Sequence, residues 1–151
     1  MLSDVSTLLT AAPADRRALA DLKRRGFANP AAALLNLHAL APTPRDVELL
    51  VPVLPRLLTQ LGAAPDPDMA LNNLERLAGQ GDRAVFLGLL GSHPGAIPLL
   101  ARLCGTSQFL ADTLRRYPTL LPWLLLPRTM RHWLGQILLQ IVAEPMPHRP
   151  G

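Results

Sequence analysis

The sequence predicts an all-α protein: an irregular array or bundle of about nine short helices with no sheet. Three observations predict it. Leucine makes up roughly a fifth of the 151 residues and β-branched residues are sparse, which favours helix over strand. Many of the sixteen prolines sit where a helix begins, and Asn29-Pro30, Thr43-Pro44 and Asp66-Pro67 each place a capping residue directly before one. There the side-chain oxygen accepts an orphan N–H of the first turn, and proline at the first helical position sacrifices no hydrogen bond. Apolar residues also recur at helical spacing, and no stretch alternates as a strand would.

Taken in order, Asp15 to Arg25 reads as a helix closed by Gly26, with Lys23, Arg24 and Arg25 complementing the dipole of its last turn. Pro30 to Leu40 follows. Pro44 to Leu61 comes next, bent or split at Pro52 and Pro55, each of which removes a ladder donor and clashes with the preceding turn. Pro67 to Ala78 is the cleanest element. Ala70, Leu71, Leu74, Leu77 and Ala78 share one face, and Asn72, Asn73, Glu75 and Arg76 take the other. Asp82 caps a helix to about Leu90 that is apolar nearly all round through Val85, Phe86, Leu87, Leu89 and Leu90, and is therefore expected to be central. Pro94 or Gly95 to Cys104 is similar, with Arg102 as its one charge. Thr106 or Ser107 opens a helix to about Arg116 whose inner side is expected to carry Phe109, Leu110, Thr113, Leu114 and Tyr117, with Asp112 pairing Arg116. Pro118 to Leu126 and Arg128 to Val142 complete the set. Residues 143–151 carry three prolines and no apolar period, and are expected to be irregular or disordered. The loop–proline–helix rhythm recurs without a strict repeat.

Composition narrows the function classes. The length suits one ordinary domain with a real core. A single cysteine excludes an internal disulfide framework and a cysteine-rich zinc site. No run approaches the roughly 18–20 apolar residues of a membrane helix. Fifteen basic residues, all arginine except Lys23, face eleven acids, giving +4, which is far from the dense basic stripe of nucleic-acid binders. Neither nucleic acid nor a membrane is expected as a partner. Met1-Leu2-Ser3-Asp4 has no basic or apolar leader character, so a cytoplasmic location is expected.

Candidate chemistry is thin. Asp66-Pro67-Asp68 has the form of a paired carboxylate that holds magnesium in nucleotidyl transfer. Such pairs sit on strands after a glycine turn, whereas this one opens a helix, so Asp66 reads as an N-cap and Asp68 as a first-turn acid. Gly91-Ser92 could imitate a phosphate-cradling turn, but no Asp-x-Asp follows it and a helix–helix connection is the simpler reading. His38, His93, His132 and His148 have no helical ligand spacing, so structural or solvated roles are expected and no metal site. Cys104 beside Gly105 reads as a small buried hydrophobe. Leu120, Leu121, Trp123, Leu124, Leu125 and Leu126 form an apolar patch that is either core or a face awaiting a partner. No catalytic, cofactor-binding or metal residue is assigned.

Three stretches together carry a resemblance: Leu22 to Leu40 (LKRRGFANPAAALLNLHAL), Pro65 to Leu77 (PDPDMALNNLERL) and Leu103 to Pro127 (LCGTSQFLADTLRRYPTLLPWLLLP). Read with the intervening GDRAVFLGLLGSHPGAIPLLARL, they resemble the amino-terminal helical region of bacterial glutamine synthetase adenylyltransferase. The Ser-x-Phe-Leu-Ala-Asp element, followed by Arg-Tyr-Pro and Trp123, is the most specific part. The resemblance implies a 1–131 helical region and a divergent 132–151, with a helix and a Pro-rich tail. It implies a family that transfers AMP from ATP, with magnesium, to glutamine synthetase and removes it again. Its catalytic turn and Asp-x-Asp pair have no counterpart here, so no cofactor is expected in this chain. Glutamine synthetase or the absent nucleotidyltransferase domain is the implied partner. A truncated or frameshifted reading frame is the expectation for the divergence after Arg131.

Overall fold

In a computed structural model of the chain, residues 5–120 and position 140 are described. The chain divides into two compact units, Met1–Pro118 and Thr119–Gly151. Of the second, only Thr119, Leu120 and Gln140 are among the described residues. The helices expected over Pro118 to Leu126 and Arg128 to Val142, and the irregular tail, therefore lie almost wholly outside them.

Nine α-helices and no strand occur among the described residues: α1 (Thr7–Thr10), α2 (Arg16–Arg24), α3 (Pro30–Leu40), α4 (Pro44–Leu50), α5 (Leu54–Gly62), α6 (Pro67–Ala78), α7 (Arg83–Ser92), α8 (Ala96–Thr106) and α9 (Gln108–Arg116). The all-α class is as the sequence predicts. The Pro44 to Leu61 segment is split into α4 and α5, one of the two outcomes its prolines predict, and α1 is an additional element.

The capping logic holds at each of the three proline starts. Asn29 Oδ1 accepts from Ala32 N at 3.2 Å, Thr43 Oγ1 from Asp46 N at 3.1 Å, and Asp66 Oδ1 from Met69 N at 3.0 Å. Asp15, Asp82 and Ser107 cap α2, α7 and α9 in the same way. The end of α2 is a glycine-terminated Schellman turn. Gly26 takes φ +112°, its N–H reaches Lys23 O, and Phe27 N–H reaches Leu22 O at 3.2 Å. Phe27 and Leu22 are both buried, which supplies the apolar contact that accompanies this motif.

Within Met1–Pro118 the core centres on α6, which packs against α3, α5, α7, α8 and α9. Its predicted stripe, Ala70, Leu71, Leu74, Leu77 and Ala78, is buried throughout. Facing it are Leu34 and Leu37 of α3 and Ile97, Leu100 and Ala101 of α8, all buried. Leu54, Leu57, Leu58 and Leu61 give α5 a buried i, i+3, i+4, i+7 stripe against α8.

Four expectations are corrected. Asn73, assigned to the solvent face of α6, is 4% exposed, because the helix has neighbours on that side too. α7 is not central: it packs mainly on α4, buries only Phe86, Leu87 and Leu90 on one side, and leaves Val85 exposed. α8 begins at Ala96 and runs to Thr106, because Pro94 and Gly95 form a turn in which Ala96 N bonds His93 O at 3.0 Å. The buried side of α9 is Ala111 and Leu114, whereas Phe109, Leu110 and Tyr117 are exposed, and Asp112 pairs Arg115 at 3.5 Å rather than Arg116.

Candidate functional site

The paired carboxylate is a junction between helix ends. Asp66 caps α6 through Met69 N, and its own N–H bonds Gly105 O at 3.1 Å, tying the start of α6 to the end of α8. Asp68, in the first turn of α6, faces away from that cap. Its Oδ2 accepts from Ala28 N at 2.7 Å and its Oδ1 from Asn29 N at 3.1 Å, so one carboxylate holds the α2–α3 loop about forty residues away. Negative charge in the first turn also suits the helix dipole.

Two glycines let the helix ends approach. A Cβ on Gly62 would collide with the Arg25 carbonyl oxygen, and a Cβ on Gly105 would lie 2.7 Å from the Ala64 Cβ and 3.0 Å from the Ala70 Cβ. Backbones therefore meet here at distances that only glycine permits. Behind the junction, buried Asn73 donates from Nδ2 to Cys104 O at 2.8 Å. Its Oδ1 accepts from Gln108 Nε2 at 3.0 Å, and the same nitrogen reaches Asp112 Oδ1 at 3.0 Å. This chain of bonds links α6, the end of α8 and α9, and it supplies the partner a buried amide needs. The neighbouring Cys104 thiol is fully buried, and burial pushes its pKa up to about 12. It is a packed hydrophobe, as expected from its place beside Gly105.

Asp66 and Asp68 are both engaged as acceptors at helix ends. The two carboxylates diverge, one to its own helix and one to a distant loop, and both accept from backbone N–H groups. Among the described residues no group of three or more His, Cys, Asp or Glu side chains converges as metal ligands do. Gly91 and Ser92 form the last turn of α7 instead of the loop expected for them, and His93 caps it through N–H to Leu89 O at 2.8 Å. His38 Nε2 lies 2.9 Å from Leu8 O, so it ties α1 to α3. His132 and His148 lie outside the described residues, as do Leu121, Trp123, Leu124, Leu125 and Leu126 of the apolar patch. Leu120, the remaining member, is 40% exposed.

One feature lay beyond the reach of the sequence pattern, because it needs α1. A groove of about 950 Å³ runs between α1 and α2, lined by Thr7, Leu8 and Ala11 on one side and Arg17, Ala20 and Lys23 among those on the other. No helix among the described residues is long and apolar enough to cross a membrane.

No family model matches the chain, and no solved structure matches it. A curated protein does. The bifunctional glutamine synthetase adenylyltransferase/adenylyl-removing enzyme of Pseudomonas putida is 35% identical over 112 residues, covering 69% of this chain. The chain is a partial relative of that enzyme family. It spans only 12% of the length of the P. putida protein.

Proposed function

We propose that this chain acts as a non-catalytic helical segment of a glutamine synthetase adenylyltransferase. In that role it would hold shape beside a nucleotidyltransferase domain and help set the approach to glutamine synthetase, in the cytoplasm, as part of nitrogen regulation. The observation that carries the reading is the commitment of Asp66 and Asp68 to backbone donors on different elements. The identity with an adenylyltransferase over 69% of the chain supports the family assignment. In this reading ATP and magnesium belong to domains other than this one.

A second reading, a helical protein-interaction module with its own partner, is favoured by the outer face of α9. Phe109 is 76% exposed there, and Tyr117 lies two turns further along. A pull-down with the purified chain separates the two. Specific, saturable retention of glutamine synthetase supports the first, and retention of an unrelated partner supports the second. ATP turnover that co-purifies with the chain at constant specific activity overturns both.

A further inference from the structure

The groove between α1 and α2 combines an apolar floor with a cationic rim. Leu8 and Ala18 are buried beneath it, and Ala11 and Ala20 keep its walls low. Arg17, Lys23 and Arg24 are exposed on the α2 side. The two acids that line it already have partners. Asp15 Oδ1 accepts from Arg17 N at 2.9 Å and Ala18 N at 3.2 Å. Asp21 holds Arg25 Nε at 2.9 Å and Arg24 at 3.4 Å. Arg17 and Lys23 have no ion pair among the described residues. From Asp15 to Arg25 five bases face two acids, which puts +3 of the chain's net +4 in this one segment.

We propose that this groove docks an acidic amphipathic helix of a partner protein. Apolar side chains of such a helix would sit over Leu8, Ala11 and Ala18, with carboxylates meeting Arg17, Lys23 and Arg24. Helix-in-groove recognition has this form, with apolar anchors giving affinity and charge giving orientation and rate. A polynucleotide fits less well. Its phosphates form a continuous negative line, and Asp15 and Asp21 interrupt the cationic rim, whereas a peptide can space its carboxylates around them. The inference goes beyond the scaffold reading and does not depend on which protein supplies the helix.

The test is an NMR titration of the full chain with three probes. The first is a helix-forming peptide of about 18 residues, long enough to be helical alone, with leucines on one face and glutamates on the other. The second replaces its glutamates with lysines, and the third replaces its leucines with serines. The first is expected to shift amides of Thr7–Ala11 and Arg17–Arg24 saturably, and the other two to bind about tenfold or more weaker. Arg17→Glu with Lys23→Glu should weaken the first peptide by a similar factor and accept the lysine peptide. Ala20→Trp, which fills the groove without changing charge, should also block it. All three positions are exposed, and melting curves confirm that the variants fold. Equal binding of all three peptides, shifts centred on α9, unchanged binding by both variants, or preference for a single-stranded oligonucleotide overturns the proposal. Failure to capture glutamine synthetase leaves this result standing, so the two readings fail separately.

Discussion

α6 and α9 are both amphipathic helices opened by a side-chain cap, yet one is enclosed and the other presents its bulkiest side chains to solvent. In α6 the leucine stripe meets α3, α5 and α8, and even Asn73 on the flank is covered. In α9 only Ala111 and Leu114 are buried, and Phe109 is 76% exposed. Helical period identifies a stripe but not the neighbour that covers it. Side-chain size gives no guide either, since the small Ala111 faces inward and Phe109 outward.

The contrast predicts a gradient of mutational cost. Leu74→Ala, in the enclosed stripe, should cost about 2–5 kcal/mol in urea unfolding, through lost transfer energy and a residual cavity. Asn73→Ala should cost about 1–3 kcal/mol, because it leaves the Cys104 carbonyl buried without its donor. A cost for Asn73→Ala near zero would mean that water reaches that carbonyl and that the flank of α6 is open like α9. Asp68→Ala removes two hydrogen bonds at a half-buried site, where water can replace part of the loss. About 1–2 kcal/mol is expected, with faster amide exchange at Ala28 and Asn29 as the specific sign.

Cys104 gives a pH-dependent version of the same comparison. Its thiol is harder to ionise in the folded chain, at about 12 against an ordinary 9.0. Its contribution is therefore full below pH 9 and is lost as pH rises from 9 toward 12, where the unfolded chain sheds the proton first. Cys104→Ala should remove that part of the alkaline loss, and identical alkaline slopes for the two proteins would show that the thiol is not enclosed. The smallest effect is expected at α9, where Phe109→Ala should change stability by no more than about 0.5 kcal/mol. A loss of several kcal/mol there would erase the distinction between the two helices.

What was legible in the sequence was local. Asn29, Thr43 and Asp66 announce their helices because a cap and its N–H lie within three residues of each other. The Pro30 and Pro67 starts were readable for the same reason, and so was the Gly26 stop. Long-range partners were not readable. Nothing in the sequence pairs Asp68 with Ala28 and Asn29, or buried Asn73 with Cys104 and Gln108, because those bonds join residues some thirty to forty positions apart. Four residues with one buried leucine carry no period, so neither α1 nor the groove it forms with α2 has a signature in the sequence. The all-round apolar pattern of α7 points to all-round cover, whereas Val85 is exposed, because apolar content alone does not fix how many neighbours a helix has.

Asp66 and Asp68 join helix ends, and the proposed non-catalytic role requires that they hold neither magnesium nor a nucleotide. The most direct test is the melting temperature of the natural chain and of the Asp66→Asn, Asp68→Asn double variant, each across a titration with magnesium and ATP. A ligand that binds only the folded state raises the midpoint with its concentration. A lower midpoint is expected for the double variant, with neither protein responding to the titration. A midpoint that rises with magnesium and ATP in the natural chain, and stays flat in the double variant, would contradict it.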